Sequence, residues 1–364
     1  MPGLFSPFTL KDVTLRNRIV VSPMCQYQST DGYVNDWHMS HYAMLAKGGS
    51  GLVILEATAV TQEGRITPGD LGLWSNNHTE GMSAVASSIK RAGAVPGIQL
   101  GHAGRKAGCT PPWLGGKPLD NDDLDSWTPV GPSAVPFFPA SDYVPREMSL
   151  KDITRVRQDF TDAARRARDA EFKWLELHFA HGFLVQSFLS SESNLRSDQY
   201  GGPLENRARF MLEIIEDVKK VWPDDLPLTV RLGAVEFNKD PESSFMERLK
   251  VAEWLKKAGT DLIDVGLALT TPSETVPWAP GFMVPYAQRL RHEVNLPVGT
   301  SWLITDARAA DQFIQDEKTD LVYLARALLA NPHWPYKAAS ELSISMPEAV
   351  LPTPYSYWLQ NWSA

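Results

Sequence analysis

Cysteine is scarce: two residues in 364, Cys25 and Cys109. One bridge is arithmetically possible, but a disulfide framework is not, so a reducing, cytoplasmic setting is expected. Excess positive charge is absent too. Lys plus Arg is 35 against 43 Asp plus Glu, a net of -8, which argues against a nucleic-acid partner and against adsorption to anionic lipid. No apolar run reaches the roughly 18 residues of a membrane span. The start, Met1-Pro2-Gly3-Leu4-Phe5-Ser6-Pro7, puts no cationic stretch before a long apolar run, so no secretory signal is expected. Neither a low-complexity tract nor a linker breaks the chain, and residues 1–364 are expected to form one domain. What remains is a soluble globular composition, 43% hydrophobic and 21% charged.

One pattern recurs. A helix tail rich in Ala, Lys and Arg reaches a turn, and a short apolar strand follows. Ala46-Lys47-Gly48-Gly49 leads into 51–56, Lys90-Arg91-Ala92-Gly93 into 94–100, Arg168-Asp169-Ala170 into 172–178, and Lys256-Lys257-Ala258-Gly259 into 261–266. Residues 312–319 lead into 320–326 in the same way. Glycine suits the left-handed end of a helix, and basic residues suit its C-terminal dipole. The strands are rich in Val, Ile and Leu rather than alternating, as expected when both faces are buried. Adding 18–24, 228–233 and 296–300 gives eight strands with helical patterns between most of them. The fold class expected is α/β, a (β/α)8 TIM barrel. A doubly wound sheet would show a Gly-rich turn after its first strand, and Ser22-Pro23-Met24-Cys25-Gln26-Tyr27 is not one.

Two departures decorate the barrel. Residues 8–15 alternate and turn at Lys11-Asp12, which predicts an N-terminal hairpin capping the barrel floor. Residues 109–146 carry many prolines, glycines and aspartates without periodicity, a long loop excursion after strand three.

Barrel enzymes place their chemistry at the C-terminal strand ends, and polar residues gather there. Strand four ends in Trp174-Leu175-Glu176-Leu177-His178-Phe179-Ala180-His181-Gly182-Phe183, two imidazoles three residues apart. They have three readings: a metal chelate, which lacks a matching carboxylate or thiolate cluster; structural histidines with satisfied hydrogen bonds; or a clamp on a carbonyl oxygen or oxyanion, which the pairing favours. Arg231 lies inside an apolar strand and must meet an acceptor. That acceptor is either a buried carboxylate such as Glu56 or the electron-rich atoms of a cofactor. Gly299-Thr300-Ser301-Trp302 and Ala325-Arg326 close strands seven and eight, where this barrel commonly holds phosphate. Arg326 alone reads as a surface arginine at a helix start; the adjoining glycine turn favours phosphate. Cys25 is either a buried small hydrophobe or a redox-tuning thiol, and Cys109 has no specific role. No Asp/Glu pair suited to glycoside hydrolysis stands at a strand end.

The chain resembles the old yellow enzymes, flavin-dependent ene-reductases, and among them the thermophilic-like branch. The likeness runs through Leu4-Phe5, Leu15-Arg16-Asn17-Arg18, residues 22–27, Glu56-Ala57-Thr58-Ala59-Val60 and Gly64-Arg65. It continues in Gln99-Leu100-Gly101-His102-Ala103-Gly104-Arg105-Lys106, His178 to Gly182, Ser193-Asn194, residues 198–202 and residues 205–210. The resemblance implies FMN held non-covalently at the top of the barrel, with NAD(P)H as reductant. It implies flavin contacts from Pro23, Met24, Cys25, Ala59 and Gln99, with Arg231 at the N1/C2 carbonyl edge. Ser301, Trp302, Ala325 and Arg326 fall where the family holds the phosphate. Cys25 matches a flavin-tuning cysteine and Tyr27 a substrate-pocket tyrosine. His178 and His181 match the pair that grips the substrate carbonyl. Trp302 and Trp358 match pocket tryptophans, Trp358 near a neighbouring subunit's site in a homodimer or higher homo-oligomer.

The resemblance implies ping-pong hydride transfer to an α,β-unsaturated carbonyl compound. Two positions depart from the family. Phe183 stands where a tyrosine gives the α-carbon its proton, and Ala325 where glycine precedes the phosphate arginine. Without that tyrosine, water or Tyr27 is left to give the proton, or the acceptor is a nitro compound or quinone that needs less help. A flavin-binding protein with little turnover and a metal-dependent barrel hydrolase are the alternatives from other classes.

Overall fold

The computed structural model describes residues 2–120, 126–138, 143–238 and 240–362. Strands β1 (Phe8–Leu10) and β2 (Val13–Leu15) form an antiparallel hairpin. Lys11 makes its turn in the left-handed region, at φ 49°. Phe8, Val13 and Leu15 pack with Val20, Leu52, Trp174, Leu262 and Leu321 at the starts of the barrel strands. The hairpin is therefore the floor, as its alternation predicts.

The barrel strands are β3 (Ile19–Val21), β4 (Leu52–Ala59), β5 (Val95–Gly101), β8 (Trp174–Phe179), β9 (Leu228–Val235), β10 (Leu262–Leu267), β11 (Val298–Thr300) and β12 (Leu321–Leu324). All their pairings are parallel, and β12 returns to β3 with Val322 opposite Ile19, closing the barrel. Each of the eight expected strands is present with its ends moved. The first stops at Val21, because residues 22–27 leave the ladder and run along the barrel top. The second runs past Glu56 to Ala59 through a register shift between Leu55 and Ala57.

The excursion after β5 carries a feature that composition did not indicate. Its two-residue strands β6 (Val130–Gly131) and β7 (Arg146–Glu147) pair in parallel. Residues 121–125 and 139–142 of that excursion lie outside the described residues.

The helices are α1 (Asp36–Lys47), α2 (Thr79–Arg91), α3 (Leu150–Asp169), α4 (Leu184–Leu189), α5 (Leu204–Lys219), α6 (Pro241–Ala258), α7 (Val284–Val294), α8 (Ala307–Gln315), α9 (Arg326–Ala330), α10 (Trp334–Glu341) and α11 (Thr353–Leu359). Helix α6 shows why the basic-tail, glycine pattern works. Asp240 accepts from the Ser243 N–H at its start, Lys256 and Lys257 sit at its end, and Gly259 stops it at φ 103°. Buried Val, Ile, Leu, Phe and Ala side chains from strands and helices form the main core, separate from the cluster under the floor hairpin. Cys25 and Cys109 are both free thiols. Among the described residues no helix is long and apolar enough to cross a membrane.

Candidate functional site

The C-terminal rim is held in shape by buried polar groups. Glu56, on β4, turns outward: its Oε1 accepts from Tyr42 Oη at 2.8 Å and its Oε2 from the Gln26 backbone N–H at 2.7 Å. This ties segment 22–27 to α1 and fixes Tyr27 in the left-handed region, at φ 55°. Burial pushes the Glu56 carboxyl up to about 8, against the opposing hydrogen bond from Gln26. The Cys25 thiol is held well above its usual range by burial and by the Asp70 and Glu56 carboxylates, so it stays protonated. The Tyr27 ring meets Trp113 edge-on at 5.7 Å.

Strand β8 delivers the histidines. His178 lies in a buried run that ends at Ala180, and the chain then turns through His181 (φ 58°) and Gly182 (φ 69°). Lys106 Nζ donates to the carbonyls of His181 at 2.6 Å and Leu269 at 2.8 Å. The His181 N–H donates to Leu267 O at 3.0 Å, so the strained turn is fastened on both sides. The two imidazoles stand at 89° with centroids 4.9 Å apart. Phe183 packs against His178 at 4.9 Å, and Trp302 against His181 at 5.7 Å. His178 Nδ1 and His181 Nε2 are buried without protein partners. Burial, followed by the Arg231 charge, holds both imidazoles well below their ordinary range. Both are neutral at neutral pH, and each offers one N–H.

Arg231 does not pair with Glu56. Its Nε lies 3.0 Å from Asp264 Oδ2, its Nη1 3.5 Å from Ser22 Oγ and its Nη2 3.3 Å from Ser301 Oγ. Below it lies a second acid, Glu176, whose Oε1 accepts from Gln99 Nε2 at 2.7 Å and whose Oε2 accepts from Tyr323 Oη at 3.4 Å. Burial pushes both carboxyls up; Asp264 raises Glu176 further, while Arg231 opposes the shift. Two buried acids share one buried cation, so charge balance keeps Asp264 ionised beside Arg231 and leaves the proton on Glu176. An acid inside an apolar run is the same signal that singled out Arg231. Reading Trp174-Leu175-Glu176 and Leu262-Ile263-Asp264 that way finds both partners.

A cavity of about 280 Å³ opens over Arg231, lined by Ser22, Pro23, His181, Ser301, Trp302, Tyr323, Ala325 and Arg326. Arg326 is exposed and has no ion-pair or hydrogen-bond partner among the described residues. These groups fit FMN. Arg231 offers buried positive charge to an electron-rich ring edge, Ser301 and Arg326 offer polar and cationic contacts to a phosphate, and the Trp302 indole, its N–H unpartnered, walls the space. Met24 and Cys25 are part-exposed on the adjoining rim. Gln99 and Ala59 do not line this cavity: Gln99 is buried beneath it on Glu176, and Ala59 lines a smaller space beside Phe183. Their neighbour Ala57 is the part-exposed residue of the β4 end. Trp358 is 78% exposed on α11 and is not brought to the site within this chain. Among the described residues, no three His, Cys, Asp or Glu side chains are grouped to hold a metal ion.

Comparison with known proteins agrees with the geometry. Residues 3–344 match the family described as NADH:flavin oxidoreductase / NADH oxidase. An NADPH dehydrogenase of Geobacillus sp. (strain WCH70) is 43% identical over 350 residues, covering 95% of this chain and 96% of that protein. The NADPH dehydrogenase of Bacillus subtilis (strain 168) is 40% identical over 349 residues, covering 95% of this chain and 97% of that one. Among solved structures, morphinone reductase in complex with tetrahydroNAD superposes with a TM-score of 0.76 at 26% identity, over 95% of this chain and 92% of that one. A 2-naphthoyl-CoA reductase complex gives 0.81 at 26% identity, over 96% of this chain but 53% of that longer one. The chain belongs to the NADH:flavin oxidoreductase family, the old yellow enzymes, and is an FMN-dependent oxidoreductase that draws its electrons from NAD(P)H.

Proposed function

We propose that this enzyme reduces the activated C=C bond of α,β-unsaturated carbonyl compounds, in ping-pong order with NAD(P)H. The carrying observation is the histidine pair: two perpendicular, neutral imidazoles, each with a buried ring nitrogen that no protein group satisfies. When bound, FMN supplies the hydride. His178 and His181 donate to the carbonyl oxygen, which gains negative charge as the β-carbon accepts that hydride. Donors aimed at developing charge contribute roughly 3 kcal/mol each. Neutral imidazoles suit this task because they donate without adding a buried cation. Arg231, oriented by Asp264, Ser22 and Ser301, would offer positive charge to the electron-rich ring edge of FMN. Trp302 and Tyr27 bound the substrate space, and Trp358 reaches it from a neighbouring subunit of a homodimer or larger assembly.

Phe183 favours a second reading. It has no proton to give, so nitro compounds or quinones, which depend less on α-carbon protonation, are the alternative acceptors. Anaerobic stopped-flow separates the two. NADPH bleaches the flavin, and 2-cyclohexen-1-one restores its colour if enones are substrates. Reoxidation by a quinone but by no enone would leave only the second reading.

A further inference from the structure

Two groups in the wall of the large cavity are each backed by a buried acid: Tyr323 by Glu176, and Arg231 by Asp264. Glu176, Arg231 and Asp264 come from the neighbouring strands β8, β9 and β10, and Tyr323 from β12. The two acids are held differently. Glu176 has a hydrogen bond on each oxygen, from Gln99 Nε2 at 2.7 Å and from Tyr323 Oη at 3.4 Å. Asp264 is wholly buried, and neither of its oxygens has a hydrogen-bond partner among the described residues. Arg231 Nε stands 3.0 Å from Oδ2 but is not aligned to donate to it.

A buried carboxylate normally keeps its charge through a counter-ion and hydrogen bonds together. Asp264 has the counter-ion alone, so its charge depends on how much of the Arg231 field it receives. Arg231 also faces the cavity, and its contacts with Ser22 at 3.5 Å and Ser301 at 3.3 Å are at the long end of hydrogen bonding. Negative charge arriving in the cavity competes for the same guanidinium and repels the Asp264 carboxylate, and both effects favour the neutral acid. The other ionisable groups around it are poor acceptors. Glu176 already holds its proton, Tyr323 is a phenol that burial keeps protonated, and Arg231 is a cation. Burial disfavours a proton on His178 and His181.

We infer that Asp264 is a redox-linked proton site, ionised beside Arg231 while the cofactor is oxidised and protonated once electrons from NAD(P)H add negative charge to the cavity. Hydride transfer breaks a nicotinamide C–H bond and carries two electrons and one proton to the cofactor, with none taken from solvent. The further proton comes from solvent and forms an O–H bond on Asp264. That bond breaks, and the proton returns to solvent, when the electrons pass to the acceptor. Protonation leaves the whole Arg231 charge to the reduced ring. Asp264 touches Arg231 and not the cofactor, so it is a positioning residue. The inference rests on FMN dependence and holds for an enone or a quinone acceptor alike.

The test mixes the FMN-loaded enzyme anaerobically with NADPH near neutral pH, in weak buffer with a pH-indicator dye. Uptake of about one proton per flavin reduced is expected. Asp264→Asn is expected to abolish the uptake and Glu176→Gln to retain it. Potentiometry gives an independent count: the wild-type flavin potential is expected to fall more steeply with pH than that of Asp264→Asn, by one further tenfold per pH unit, about 30 mV for a two-electron couple. No uptake in the wild type overturns the inference. So does uptake that persists in Asp264→Asn, which would put the proton on Glu176 or a histidine. A structural role alone for Asp264 would alter stability or FMN affinity and leave the proton count at its wild-type value. Should Asp264→Asn not fold, redox-difference infrared spectroscopy of the wild type decides. A carboxylic-acid C=O band must grow on reduction and shift when the aspartate side chains carry carbon-13, but not when the glutamates do. Absence of such a band overturns the assignment.

Discussion

Arg231 and Asp264 sit opposite each other on adjacent strands β9 and β10, with Nε 3.0 Å from Oδ2. The pair makes two carboxyls that look alike behave differently. Asp264→Asn leaves the guanidinium buried and uncompensated and is expected to cost about 3–5 kcal/mol of unfolding free energy. Glu176→Gln removes a group that is already neutral and is expected to cost less than about 1 kcal/mol. Urea titrations of the two variants decide it. Equal losses would move the proton off Glu176.

Glu56 carries a second consequence of burial. Its carboxyl stands at about 8 in the fold against 4.5 in an unfolded chain. Between those values the folded protein keeps a proton that the unfolded chain has lost. Glu56 therefore costs stability as pH rises through that window, by about 1.4 kcal/mol per pH unit. Glu56→Gln loses one acceptor for Gln26 or Tyr42 at every pH but escapes this slope. Its stability relative to wild type is expected to climb from about pH 5 to about pH 8. A pH-independent difference in urea midpoints would show that Glu56 is ionised in the fold.

The barrel was legible because strands buried on both faces read as Val/Ile/Leu runs. All eight appear in the structure, and so does the floor hairpin. Less legible was the partner of Arg231. Alternation after Leu52 and Ile54 would point Glu56 into the barrel, but the register shift between Leu55 and Ala57 turns it away toward Tyr42. Asp264 becomes the partner only through the register of β9 against β10, which no single strand reveals. The β6–β7 pair was beyond reach for a different reason: two-residue strands have no periodicity to detect. The histidines and Phe183 could be singled out because their spacing is local. Their perpendicular packing depends on two left-handed residues in succession and on Lys106 from another strand end.

The clamp makes a directional prediction. His181→Leu removes one of the two donors while keeping the contact with Trp302. It is expected to lower kcat/KM for cyclohexenone roughly 100-fold, the loss typical of one oxyanion donor. Binding of FMN, read from flavin fluorescence quenching, is expected to change little. A loss confined to FMN affinity would mean that the histidines serve the cofactor rather than the substrate.

Phe183→Tyr restores a hydroxyl beside His178. Reoxidation by cyclohexenone is expected to speed up about tenfold, with a smaller solvent isotope effect, while reduction by NADPH keeps its rate. Unchanged reoxidation in both H₂O and D₂O would show that protonation does not limit this enzyme.

Among the described residues, helix α11 lies open at the surface. None of its residues is buried, and Trp358 and Tyr357 are 78% and 61% exposed, with Trp362 just beyond at 65%. With Tyr355 on the same helix, four large aromatics are exposed together on a short C-terminal segment and mark a contact surface. The chain is therefore expected to elute as a dimer or larger assembly in light-scattering chromatography, and one ended after Leu351 as a smaller species. If Trp358 completes a neighbour's pocket, Trp358→Ala raises KM for the enone about tenfold, equivalent to about 1.4 kcal/mol of lost contact. Mixing Trp358→Ala subunits with His181→Leu subunits discriminates further. A hetero-oligomer that regains enone turnover above either parent requires the tryptophan to act across the interface. Turnover no better than the sum of the parents confines it to its own chain.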